Sequence, residues 1–72
     1  MTFAETVNEL MRLGFTPYQI ATALDTSIPH VHRLRRVKSA RPPAPEVWRP
    51  ILYKLARERA LSLDTLALRL SL

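Results

Sequence analysis

The chain has 72 residues, with eleven Lys and Arg against six Asp and Glu, a net charge of +5, and no cysteine. So short a chain allows one domain with one small core and scant room for an enclosed active site, and disulfides or thiolate-bound zinc cannot supplement that core. The charge balance favours an anionic partner, and nucleic acid fits better than a membrane surface because the basic residues do not line a long apolar helix.

Thr2-Phe3-Ala4-Glu5 has the form of a capping box and predicts the start of a first helix. Phe3, Val7, Leu10 and Met11 follow at helical spacing, and Gly14 suits the left-handed residue that ends a helix. Thr16-Pro17-Tyr18-Gln19 repeats the start signal, with Thr as cap, Pro at the first helical position and Gln in the box position. This second helix is expected to run to about Leu24, with Ile20, Ala21 and Leu24 inward.

Asp25-Thr26-Ser27 reads as a turn, since Asp tolerates positive φ and Ser27 can cap the next helix. Pro29 then falls in the first turn of a third helix that continues to about Val37, with Ile28, Val31 and Leu34 at helical spacing. Residues 38–49, with Pro42, Pro43 and Pro45, predict a basic, semi-rigid connector. Pro50 is favourable as the first residue of a helix and costly inside one, so a fourth helix is placed at Pro50 to Arg59, with Ile51, Leu52, Leu55 and Ala56 inward, while a turn of helix around Pro45-Glu46-Val47 stays open. Ser62 is expected to cap a fifth, with Leu63, Leu66, Ala67 and Leu70 inward, although residues 66–72 also alternate as a strand would. The tail holds more leucine than one small core uses, which points to self-association.

The third helix carries the chemistry. Arg33, Arg35, Arg36, Lys38 and Arg41 put five cations in nine residues with no acid between them, a pattern suited to phosphates. The major groove of DNA admits one helix of this kind. His30 and His32 stand two apart and do not face each other, and no cysteine or nearby carboxylate completes a metal set, so no metal is expected. Ser27 with either His lacks a third orienting group, so no enzyme activity, cofactor or small-molecule ligand is expected. No apolar run approaches a transmembrane span and no signal-peptide pattern opens the chain, so no membrane partner is expected.

The order of helix, turn, basic helix, connector and two further helices resembles the five-helix, all-α DNA-binding domain of phage lambda-type repressors and Cro proteins. The resemblance rests on Ala21, Asp25, Val31 and Leu34 in the helix-turn-helix, and on Lys54-Leu55-Ala56 through Leu61-Ser62-Leu63-Asp64-Thr65-Leu66 beyond it. Small autoregulators of mobile elements, anti-CRISPR-associated repressors among them, are similar. It implies a single domain over 1–72, with a helix-turn-helix at 16–37, the connector at 38–49 and a dimerisation region at 50–72. It further implies a sequence-specific repressor or autorepressor that binds a palindromic operator in double-stranded DNA as a homodimer, in the bacterial or phage-infected cytoplasm on the nucleoid.

On the same resemblance Ser27, Ile28, Pro29, His32 and Arg33 meet base edges, with Arg33 placed to pair with guanine O6 and N7. Tyr18, Gln19, His30, Arg35, Arg36, Lys38 and Arg41 fall to phosphates, and Trp48, Leu68, Leu70 and Leu72 to the dimer interface. The chain departs from the family where Asp25 replaces the turn glycine, where Pro17 replaces a glutamine that touches phosphate, and in its longer connector. Three other readings stay open: an inhibitor or interaction protein that keeps the shape, an antitoxin that represses its own operon, and a non-specific architectural binder.

Overall fold

A computed structural model describes residues 1–37 and 40–71. Four helices and no strand are present among them: α1 Phe3–Arg12, α2 Pro17–Ala23, α3 Ile28–Arg36 and α4 Pro45–Leu70. The first three agree with their sequence signals to within a residue, because each is delimited by side chains that satisfy its own end. At α1 the Glu5 amide donates to Thr2 Oγ1 at 3.1 Å, and the Thr2 amide donates to Glu5 Oε1 at 3.0 Å. Those bonds to Thr2 hold the Glu5 carboxyl below its ordinary range, since they favour its charged form. At α2 the same exchange joins Thr16 and Gln19, at 3.2 and 2.8 Å.

Both helices end alike. Gly14 at φ 99° donates to the Met11 carbonyl while Phe15 reaches back to Leu10, and Asp25 at φ 55° donates to Thr22 while Thr26 reaches back to Ala21. Each is a Schellman motif, in which two otherwise orphaned carbonyls are satisfied by the residues that turn the chain. Phe15 is buried and lies just before the α2 cap, with buried Ile20 four positions into the helix, the placement of a hydrophobic staple.

The core contains Phe3, Val7 and Leu10 of α1, Phe15, Ile20 and Ala21, Val31 and Leu34 of α3, and Trp48 and Leu52 of α4. Both α3 and α4 pack against α1 and α2. Phe3 meets Trp48 edge to face, with ring centroids 5.5 Å apart. The Arg59 guanidinium lies over the Phe15 ring at 4.6 Å, so a cation–π contact also fastens α4 to the turn after α1.

The carboxy-terminal half differs from expectation. One helix of 26 residues replaces the two predicted, so the five-helix count becomes four, and its first turn takes the last residues of the expected connector. Pro50 lies inside it instead of starting it. Glu46 and Pro50 are exposed, so the carbonyl that loses its donor is on the solvated side. Trp48 and Leu52, one helical turn apart on the opposite side of Pro50, are both buried, and their burial offsets the missing bond. Ser62 caps nothing, because its hydroxyl donates at 3.1 Å to the Glu58 carbonyl one turn back in the same helix.

Trp48, expected at a dimer interface, is 3% exposed in the core against Phe3. The inward face expected of Leu63, Leu66, Ala67 and Leu70 is not buried in the chain, since every residue from Ala60 to Ser71 is exposed. That tail continues about 16 Å along the helix axis, and the molecule measures 51 by 21 by 20 Å. The strand alternative fails for residues 66–70, which are helical, while Leu72 lies outside the described residues.

Replacing Pro50 with Ala restores a donor to the Glu46 carbonyl, so urea denaturation of Pro50→Ala should show a gain in stability of up to about 3 kcal/mol. A loss would instead mark Pro50 as a helix start.

Candidate nucleic-acid interface

Ser27 supplies the cap of α3, its hydroxyl accepting from the His30 amide at 3.3 Å, and Pro29 in the first turn forfeits no intrahelical bond. Val31 and Leu34 are buried and fix the rotation of the helix about its axis. Pro29, His32, Arg33 and Arg36 recur at i, i+3, i+4 and i+7, and therefore share the face opposite that anchor. Pro29, Arg33 and Arg36 are exposed and His32 is half-buried. No acid occurs between Asp25 and Glu46, so nothing on this helix or the segment after it neutralises the face.

The remaining sequence-predicted residues divide by position. Ser27 and Ile28 are exposed at the amino-terminal end of α3, with Ile28 38% accessible beside the outward face. Tyr18, Gln19 and His30 are exposed, Tyr18 and Gln19 in the first turn of α2. Gln19 is already engaged, since its carboxamide oxygen accepts from the Thr16 amide in the capping box. Arg41 is exposed in the extended segment before α4, and Lys38 lies outside the described residues.

Arg35 and Arg36, both expected at phosphates, are placed differently. The side chains of Arg33 and Arg36 form no hydrogen bond or ion pair among the described residues, whose ion pair joins Arg12 and Glu9. That pairing holds the Glu9 carboxyl below its usual range and raises Arg12, chiefly through the hydrogen bond between them. Arg35, by contrast, is half-buried and faces back toward α1. Its Nε donates to Asn8 Oδ1, and its Nη1 lies 3.1 Å from His32 Nδ1. Sequence spacing gave no signal for Asn8, because the contact bridges two helices far apart in the chain.

The turn that holds α2 and α3 together has its own tension. Asp25 adopts positive φ, a conformation that costs an L residue more than glycine, and puts a carboxylate next to a basic helix. No group of three or more His, Cys, Asp or Glu side chains gathers among the described residues as a metal site requires. No helix among them is long and apolar enough to cross a membrane.

Comparison with known protein families, curated proteins and solved structures found no match.

Asp25→Gly relieves the strained turn and removes one negative charge from the basic side. Its midpoint of thermal unfolding should rise by a few degrees, about 0.5–1 kcal/mol at the ordinary conversion for a domain of this size. Its affinity for duplex DNA, measured by fluorescence anisotropy, should rise and not fall.

Proposed function

We propose that this chain is a sequence-specific binder of double-stranded DNA that acts as a small repressor, with α3 entering the major groove and two copies of the chain reading a palindromic site. The observation that carries the reading is the outward face of α3. The side chains of Arg33 and Arg36 stand there without a hydrogen-bond or ion-pair partner among the described residues, beside Pro29 and His32, on a helix whose opposite face is seated in the core. The α2–turn–α3 unit is then a helix-turn-helix of the lambda repressor and Cro type, with α4 replacing the last two helices of that plan.

Arg33, nearer the start of the helix, is the base reader, its guanidinium donating two parallel bonds to guanine O6 and N7. Pro29 has no side-chain donor and meets the groove by shape or against a thymine methyl. Arg36 and Arg41 neutralise phosphates, and Tyr18, exposed in the first turn of α2, supplies a hydroxyl to the same backbone. Occupation of a promoter by such a complex accounts for repression without any catalytic group.

The second copy is supported by the far side of the molecule. A groove of about 330 Å³ between α1 and α4 is bordered by Leu10, Trp48, Leu52, Tyr53 and Ala56. A second, sharing Leu10 and Ala56, continues it past Leu13, Ala60 and Leu63. The exposed stripe of Leu63, Leu66 and Leu70 extends the same line of α4 beyond the body. If two α4 helices pair antiparallel about Leu63, Leu66 of one copy falls opposite Ala60 of the other and Leu70 opposite Ala56. The small residues leave room for the large ones there. Operator half-sites one helical turn apart, about 34 Å, are expected for such a pair.

Selection of bound sequences from random duplex DNA should enrich a palindrome, and recovery of no preferred sequence would refute the repressor reading. Arg33→Ala should relax one base position by roughly 1–3 kcal/mol, whereas Arg36→Ala should weaken all sequences alike and lower the salt slope by about 0.9. Light scattering should report a dimer, and Leu66→Asp should convert it to a monomer that retains the helical circular-dichroism spectrum.

A further inference from the structure

The contacts among Asn8, Arg35 and His32 point to an inference that rests on the DNA-binding reading and deepens it. We infer that Asn8 and Arg35 are positioning residues that make His32 a pure hydrogen-bond donor towards DNA, so that a residue on α1 sets a base preference on α3.

The chemistry follows from what each group is able to do. A guanidinium donates five hydrogen bonds and accepts none. The Nη1 of Arg35 at 3.1 Å from His32 Nδ1 therefore makes Nδ1 the acceptor. In a neutral imidazole one nitrogen carries the proton and the other does not, so the ring N–H is placed on Nε2. A free histidine exposes Nε2 in either form. Held in this way, it offers the groove only a donor.

Arg35 needs a second anchor to hold that geometry, because a long side chain pinned at one nitrogen still swings. Asn8 supplies it from α1, its carboxamide oxygen accepting from Arg35 Nε. The guanidinium plane is then fixed at two points, one on each helix, with Arg35 half-buried between them. Asn8 itself is exposed and is not a core residue, and it holds none of the DNA-facing positions. Its effect on DNA is transmitted through Arg35.

A donor at Nε2 has a definite meaning in the major groove. Guanine presents acceptors at N7 and O6, thymine at O4 and adenine at N7, whereas cytosine presents only an amino donor. At the base facing His32 the chain should therefore accept guanine, thymine or adenine and reject cytosine. Once the anchor is lost, His32 also populates the form with the proton on Nδ1. Nε2 then accepts, and cytosine becomes tolerable. The discrimination at stake is about fivefold, the worth of one net hydrogen bond.

The decisive variant is Asn8→Ala, since Asn8 is exposed and has no packing role to lose, with Asn8→Asp as the rescue because a carboxylate oxygen also accepts from Nε. Nitrogen-resolved NMR of the imidazoles in the free protein, under mildly alkaline conditions, reads the tautomer without DNA. The wild type and Asn8→Asp should show His32 with its proton on Nε2, and Asn8→Ala a mixture of both forms. Selection from random duplexes should then show Asn8→Ala about fivefold less selective at one base pair in each half-site, with the salt slope and all other positions unchanged. A wild-type His32 protonated on Nδ1, or a tautomer indifferent to Asn8→Ala, overturns the inference. So does a shifted tautomer without a shifted base preference, an outcome that leaves DNA reading by Arg33 intact. If the wild type enriches no sequence, the DNA-binding reading fails and this one fails with it.

Discussion

The contact between Phe3 and Trp48 holds the two ends of the chain together, and the remaining architecture depends on it. Only Trp48 and Leu52 of the long α4 are buried, so the attachment of this helix centres on a stretch near its start, with Leu55, Ala56 and the Arg59–Phe15 contact continuing it. Phe3 is the first residue of α1 and is held in place by the Thr2–Glu5 capping box immediately before it. A local hydrogen-bond exchange at the amino terminus thus positions the aromatic edge on which the last helix docks. With α4 fixed there, Leu10 and Phe15 are covered and the α2–α3 unit gains a floor.

Much of this organisation was legible in the residues, and the legible parts share a cause. Thr2, Thr16 and Ser27 act on amides within three residues of themselves, and Gly14 and Asp25 turn the chain where they stand, so their meaning depends on little beyond adjacent sequence. The apolar spacing of Val7, Leu10, Ile20, Val31 and Leu34 correctly named the core faces of the first three helices. Pro50 and Ser62 were misread for the opposite reason. A proline suits a helix start and a serine a cap, but at both positions the outcome was decided elsewhere. Burial of Trp48 and Leu52 carried the helix through Pro50, and a carbonyl one turn back took the Ser62 hydroxyl. Phe15 falls outside any helical period and becomes a core residue only because two caps meet around it.

At the candidate interface the outward group was readable from spacing alone, since Pro29, His32, Arg33 and Arg36 follow from where Val31 and Leu34 must point. The division among the arginines was not. Arg35 and Arg36 look equivalent in a basic run, yet Arg35 has turned inward to meet Asn8 and His32. Only the packing of α3 on α1 separates them, and charge counts carry no trace of it. The proposed division of labour is correspondingly sharp: one side of the molecule is basic and polar, and the other is an apolar line of leucines and alanines along α4.

The continuity of α4 through Ser62 has a mechanical consequence. A loop at that point would let the leucine tail reorient independently of the body, and a pair of chains joined there could vary the angle between its two third helices. An unbroken helix behaves instead as a stiff shaft, so that rotation at one end is delivered to the other. Each residue in such a shaft turns it by about 100° and lengthens it by about 1.5 Å. A single insertion between Arg59 and Leu63 would thus leave Trp48 and Leu52 in the core and yet bring the wrong face to the partner. In such an assembly the spacing between two bound sites is encoded as the phase of one helix.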